Sequence, residues 1–147
     1  MIKINRKVEY ALIVLKHMEA KQSNKLTSAR EISDLYSTPF DTTAKVMQKM
    51  NNSGFFKSQK GVKGGYNLAV DLQNISYLQL VELIEGKSAT MDCLDNKCSL
   101  LSSCNIINPI NKLNKHLMYF FKTLSLKELL SQQSNDPLDK ILEVTGI

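Results

Sequence analysis

The chain has 147 residues, 43% of them hydrophobic and 22% charged, with a net charge of +5. This is enough for one domain with a core, and no apolar run approaches the length of a membrane span. The polar N-terminus lacks a following signal-peptide core, so a cytosolic (cytoplasmic) setting with no membrane partner is expected. In that setting an odd count of three cysteines speaks against a disulfide framework and for metal or redox use. The charge is unevenly divided: residues 1–70 carry 12 Lys/Arg against 5 Asp/Glu, residues 71–147 carry 7 against 9. A basic front half suits nucleic-acid binding, because neutralising phosphates supplies most of the non-specific affinity.

Residues 6–20 are predicted as a helix, with Val8, Ala11, Leu12, Leu15 and Met18 on one stripe. Ser28-Ala29-Arg30-Glu31 has the form of a capping box and opens a short helix with Ile32 and Leu35 inward. Thr38-Pro39 starts a third helix, threonine as cap and proline in its first turn. Its apolar face is expected to be Phe40, Ala44, Met47 and Met50, and its opposite face Thr38, Thr42, Lys45 and Lys49, with Gly54 closing it. Two short helices joined by a tight turn, the second one basic, make a helix-turn-helix.

Phe55–Ser58 and Tyr66–Ala69 are expected to pair as strands around a glycine-rich tip, residues 59–65, that carries Lys60 and Lys63. Glycine there permits positive φ and close approach of backbone to a partner. A basic hairpin directly after a helix-turn-helix is a wing. The DNA-contact set predicted from this pattern is Ser28, Thr38, Thr42, Lys45, Lys49, Lys60, Lys63 and Tyr66. Lys45 and Lys49 are assigned to phosphates, Thr38 and Thr42 to base edges, and the wing lysines to the adjacent backbone or minor groove.

Ser76-Tyr77-Leu78-Gln79 is a second capping box, for a helix that stops at Gly86. All three cysteines then fall in the twelve residues Cys93 to Cys104, separated by four and five residues in a polar stretch. Free cysteines are often small buried hydrophobes, but three thiols this close can converge on one centre. Thiolates suit iron–sulfur clusters, zinc or copper(I), and a cluster needs a fourth ligand from elsewhere. A long helix from Asn108-Pro109 carries Ile110, Leu113, Leu117, Phe120, Phe121 and Leu124 along one side; self-association is preferred to intrachain core as its role. Ser125 caps a short helix, and Asp136-Pro137 begins a last one. His17 and His116 are expected to be partly exposed helix residues.

The constellation resembles the Rrf family of winged-helix regulators, with its IscR-, NsrR- and RirA-like branches. The matching residues are Val8 to Leu12, Arg30-Glu31-Ile32, Ala44 to Met50, Ser53-Gly54-Phe55, Lys60 to Ala69, Ile75-Ser76 through Gly86, the three cysteines, and Leu124 to Leu129. The resemblance implies a mainly α fold, with a winged helix-turn-helix over residues 1–86 and a cysteine loop over 87–107. A dimerisation helix and a short helix over 108–130 and a polar tail over 131–147 complete it. It also implies a homodimer on an inverted-repeat operator in double-stranded DNA, tuned by a [2Fe-2S] or [4Fe-4S] iron–sulfur cluster. Cys93, Cys98 and Cys104 would be its ligands. Some members complete the site with a histidine three residues after the last cysteine, where this chain has Ile107. Others take a carboxylate from the first helix of the other subunit, and Glu9 stands at that position; a plain surface glutamate favoured by the helix dipole is the competing reading. Thr42 and Thr43 depart from the aromatic–leucine pair of many members. A zinc-bound or cluster-free thiol switch is the alternative. A cysteine-dependent enzyme is disfavoured, since no base is placed near a thiol.

Overall fold

Asn5 starts the first helix by accepting the Lys7 amide at 2.9 Å, and α1 runs Arg6–Ala20 with Val8, Ala11, Val14, Leu15 and Met18 buried. This helix is the axis of the computed structural model, which describes residues 4–21, 25–86, 99 and 102–131. Ser28 caps α2 (Ala29–Tyr36) by accepting the Glu31 amide at 3.1 Å, and Ile32 is the residue it buries. Leu35, expected inward, is 61% exposed: on two turns of helix the buried face has room for Ile32 and not for its neighbour one turn on. Ser37 turns the chain in the left-handed region at φ +53°.

The start of α3 (Phe40–Asn52) differs from the sequence expectation. Pro39, not Thr38, is the N-cap, and it supplies no side-chain hydrogen bond. Thr38 instead points inward, 6% exposed, its hydroxyl 2.8 Å from that of Thr43, which in turn donates to the Pro39 carbonyl at 2.9 Å. Two buried hydroxyls that satisfy each other avoid the cost of an unpaired polar group. The buried face of α3 is Thr43, Val46, Met47 and Met50, and Phe40 lies 38% exposed. At the other end Gly54 (φ +83°) and Phe55 return their amides to Asn51 and Met50 at 3.1 and 3.0 Å, a Schellman closure that sends the chain straight into the hairpin.

Strands β1 (Phe56–Gln59) and β2 (Gly65–Leu68) pair antiparallel with Phe56 opposite Leu68, one residue offset from the expected ranges. Tyr66 also exchanges two 2.9 Å backbone bonds with Thr27, so β2 is pinned near its tip end to the segment that enters α2. The wing glycines answer to this packing. A Cβ on Gly64 would lie 2.5 Å from the Gln59 carbonyl oxygen, and one on Gly65 would lie 2.8 Å from that of Thr27. The close approach they permit is to the chain's own backbone.

A 3-10 turn (Leu72–Asn74), absent from the sequence reading, leads to α4 (Tyr77–Glu85), with the reciprocal Ser76–Gln79 capping box in place and Gly86 at φ +89° ending it. After the cysteine stretch, α5 (Ile107–Thr123) begins two residues earlier than expected and buries none of its residues fully. Helix α6 (Leu126–Leu130), capped by Ser125, then folds back, with Leu126 fully buried. The Lys16 ammonium donates to the Leu130 carbonyl, and the Tyr77 and Leu126 amides donate to the Leu124 and Ile75 carbonyls, each at 2.8 Å. Helices α1, α3, α4 and α6 thus share one core with Phe55, Phe56 and Leu72. The final helix expected at Asp136-Pro137 lies outside the described residues. Among those described, no helix is long and apolar enough to cross a membrane.

Candidate nucleic-acid interface and thiol site

The exposed side of α3 meets the first turn of α1 and the last turn of α4. Lys7, Thr42, Lys45, Val46, Lys49 and Ile84 line a groove of about 240 Å³ there. Three lysines around one groove make this face strongly cationic, and Lys7 is the member that the sequence reading missed. It was legible only as one cation among several near the N-terminus, since α1 and α3 meet through tertiary packing. Lys49 is not a free cation: its ammonium donates to the Ile84 carbonyl at 3.1 Å, at the negative end of α4. Lys45 is exposed and Thr42 half-buried at the groove wall.

The other predicted contacts divide. Lys60 and Lys63 are exposed at the hairpin tip, beside Val62, which is fully exposed. Tyr66 sits one residue in from the tip end of β2, opposite Ser58 and half-buried, its ring 5.8 Å from that of Phe56. The Ser28 hydroxyl is engaged as the α2 cap. Thr38 cannot reach a base edge, because its side chain is buried and its hydroxyl taken by Thr43. Its role is in the packing at the start of α3 and not, as expected, at a base edge.

Behind this face, α1 and α2 are joined by a polar cluster. The Glu31 carboxylate receives Lys21 at 2.6 Å and the His17 ring at 3.0 Å, and the other ring nitrogen of His17 lies 2.9 Å from the Tyr36 hydroxyl. His17 is a partly exposed helix residue, as expected, and its side chain, 14% exposed, serves as a bridge; His116 is exposed. Burial works to raise the Glu31 carboxyl, but the hydrogen bonds from Lys21 and His17 and the Lys21 charge outweigh it and hold it below the usual value.

Cys104 is half-buried with a free thiol, three residues before α5 begins; Cys93 and Cys98 lie outside the described residues. Ile107 is the first helical residue of α5 and carries no donor. Glu9 projects from the first turn of α1 with its side chain 36% exposed and its carboxylate 2.9 Å from Arg6. Three thiols and one accessible carboxylate are a donor set that fits an iron–sulfur cluster. Among the described residues, no three His, Cys, Asp or Glu side chains come together as a metal site.

A helix-turn-helix, a basic hairpin pinned to it and a cationic groove along the second helix define a winged-helix DNA-binding regulator. Residues 4–132 match the Rrf2 family, described as an iron-dependent transcriptional regulator. The chain is 30% identical over 128 residues to an HTH-type transcriptional regulator of Aquifex aeolicus, spanning 84% of this chain and 88% of that one. It is 25% identical to the HTH-type transcriptional regulator NsrR of Oceanobacillus iheyensis, over 98% and 97% of the two chains. The chain belongs to the Rrf2 family of transcriptional regulators. Its fold is shared with CymR, the global cysteine regulator of B. subtilis, at TM-score 0.70 and 19% identity over 91% and 100% of the chains. It is also shared with T. potens IscR, at TM-score 0.65 and 17% identity over 94% and 96%.

Proposed function

We propose that this regulator acts in the cytoplasm as a homodimer on an inverted-repeat operator, and that an iron–sulfur cluster tunes its affinity for DNA. The cluster would be held by Cys93, Cys98 and Cys104, with Glu9 of the partner subunit as fourth ligand. The observation that carries the cluster is the gathering of every cysteine into one stretch of twelve residues that ends at the foot of α5. The iron-dependent description of the family and the NsrR name of several relatives support it.

Pairing is supported by α5. Ile106, Ile110, Leu113, Leu117, Phe120 and Leu124 follow one another at alternating steps of four and three, the seam of a coiled coil. Ile106, Leu113 and Phe120 remain 55%, 51% and 47% exposed, while Phe121 and Leu124 pack on the chain's own core. A bound cluster would supply redox and ligand-exchange chemistry, its carboxylate corner the weakest held, because an oxygen donor suits iron–sulfur less well than a thiolate. Glu9 belongs to α1, whose buried face packs on α3, so a change in its bonding has a direct mechanical route to the DNA face.

Anaerobic purification with iron and sulfide counted per chain tests the proposal. Cluster-bearing wild type, bare Cys→Ser variants and a Glu9→Ala variant with faster decay are expected. A chain that purifies with zinc or with no metal would leave the thiol-switch reading in its place.

A further inference from the structure

Phe40 is the odd residue of the DNA-binding face. It heads α3, belongs to no core cluster among the described residues, and is 38% exposed. The Arg30 guanidinium of α2 lies 4.0 Å from the centre of its ring. A planar cation over one face fixes the ring and leaves its rim and other face outward. Asp41 follows in the same turn and is exposed. A carboxylate there repels phosphate, so this turn suits base edges better than backbone.

In a helix-turn-helix, the N-terminal residues of the second helix touch base edges in the major groove, while the first helix crosses the backbone. Of the four bases, thymine alone offers a methyl group in that groove, and an apolar side chain such as phenylalanine is its natural contact. We infer that Phe40 reads a thymine C5-methyl, with Arg30 as the positioning residue that holds the ring and grips the flanking phosphate. This rests on the reading of α3 as the recognition helix.

The experiment selects an operator from random duplexes with the full-length chain, then replaces each thymine in turn by deoxyuridine, which keeps base pairing and removes the methyl. Wild type should lose roughly fourfold in affinity at one position per half-site, and roughly fifteenfold when both are replaced, from the loss of one buried methyl contact at each. Phe40→Ala should bind thymine and uracil duplexes alike, with its thermal midpoint close to wild type because the ring lies outside the core. Arg30→Ala should blunt the discrimination and reduce the salt slope by about one per subunit. Arg30→Lys should restore the slope without the discrimination, since an ammonium cannot stack as a plane. Phe40→Ala that still discriminates as wild type does, or a wild type indifferent to every uracil, overturns the inference. Wild type that selects no duplex at all refutes the DNA reading itself, and this inference falls with it.

Discussion

Truncating Leu113 and Phe120 to Ala tests the pairing surface without touching the fold. The two side chains are 51% and 47% exposed in one chain and lie outside its core. Burying a leucine or phenylalanine fully is worth about 1.5–3 kcal/mol, so a partner covering the exposed half adds about 1 kcal/mol per side chain. A two-fold interface uses each residue twice, giving about 4 kcal/mol, or roughly a thousandfold in the dimer dissociation constant. Sedimentation equilibrium across a range of protein concentrations reads this directly, with circular dichroism to show that helix content is kept. A shift below about tenfold, or a wild type that is monomeric throughout, refutes the pairing of α5 with its copy. Phe121 is the wrong probe, because its ring meets Tyr77 at 5.2 Å inside the chain, and a charge there would disturb folding and pairing together.

Lys60→Ala with Lys63→Ala should weaken binding on every DNA sequence and flatten the salt dependence by roughly one unit per lysine; an unchanged slope would remove the wing from the interface. Gly64→Ala drives a methyl against the Gln59 carbonyl at 2.5 Å and should cost about 1–3 kcal/mol, seen as a lower Tm; a wild-type midpoint would mean the tip relaxes freely. Glu31→Gln should destabilise the protein at pH 7. The carboxyl is held below its ordinary 4.5 in the folded state, so its contribution is present above that value and fades as pH falls through the lower folded one. The gap in Tm between variant and wild type should therefore narrow from pH 7 to pH 3, and a constant gap would break the link to ionisation.

Local chemistry made most of the elements legible. Ser28, Ser76, Ser125 and Gly54 each cap where their sequence patterns indicate, because capping depends on a few neighbouring dihedrals and one hydrogen bond. What the pattern missed was decided across elements. Thr38 and Phe40 exchange the surface and core places expected of them, because the buried partner that satisfies Thr38 is Thr43, a polar residue on the helix's inner face. Lys7 joins Lys45 and Lys49 only once α1 packs on α3. His17 finds Glu31 and Tyr36 across the α1–α2 contact, which no periodicity announces. The cysteine cluster is proposed as a donor set from spacing alone, and the geometry of Cys93 and Cys98 falls outside the described residues.

The exchange of backbone bonds between Thr27 and Tyr66 has a mechanical consequence. It ties the hairpin to the entry of α2, while the closure at Gly54 ties it to the exit of α3, so the wing has two anchors and a free tip. Each DNA-reading head is then a gauge of fixed span. What can vary in a pair of such heads is their separation and tilt. Half-sites recur at about 34–36 Å, one turn of the double helix, and successive phosphates of a strand advance about 3.4 Å along the helix axis. A displacement of one head by a single such step therefore takes both out of register at once. On the proposed dimer, a small relative motion of the two heads would therefore be enough to switch binding, with no deformation of the heads themselves.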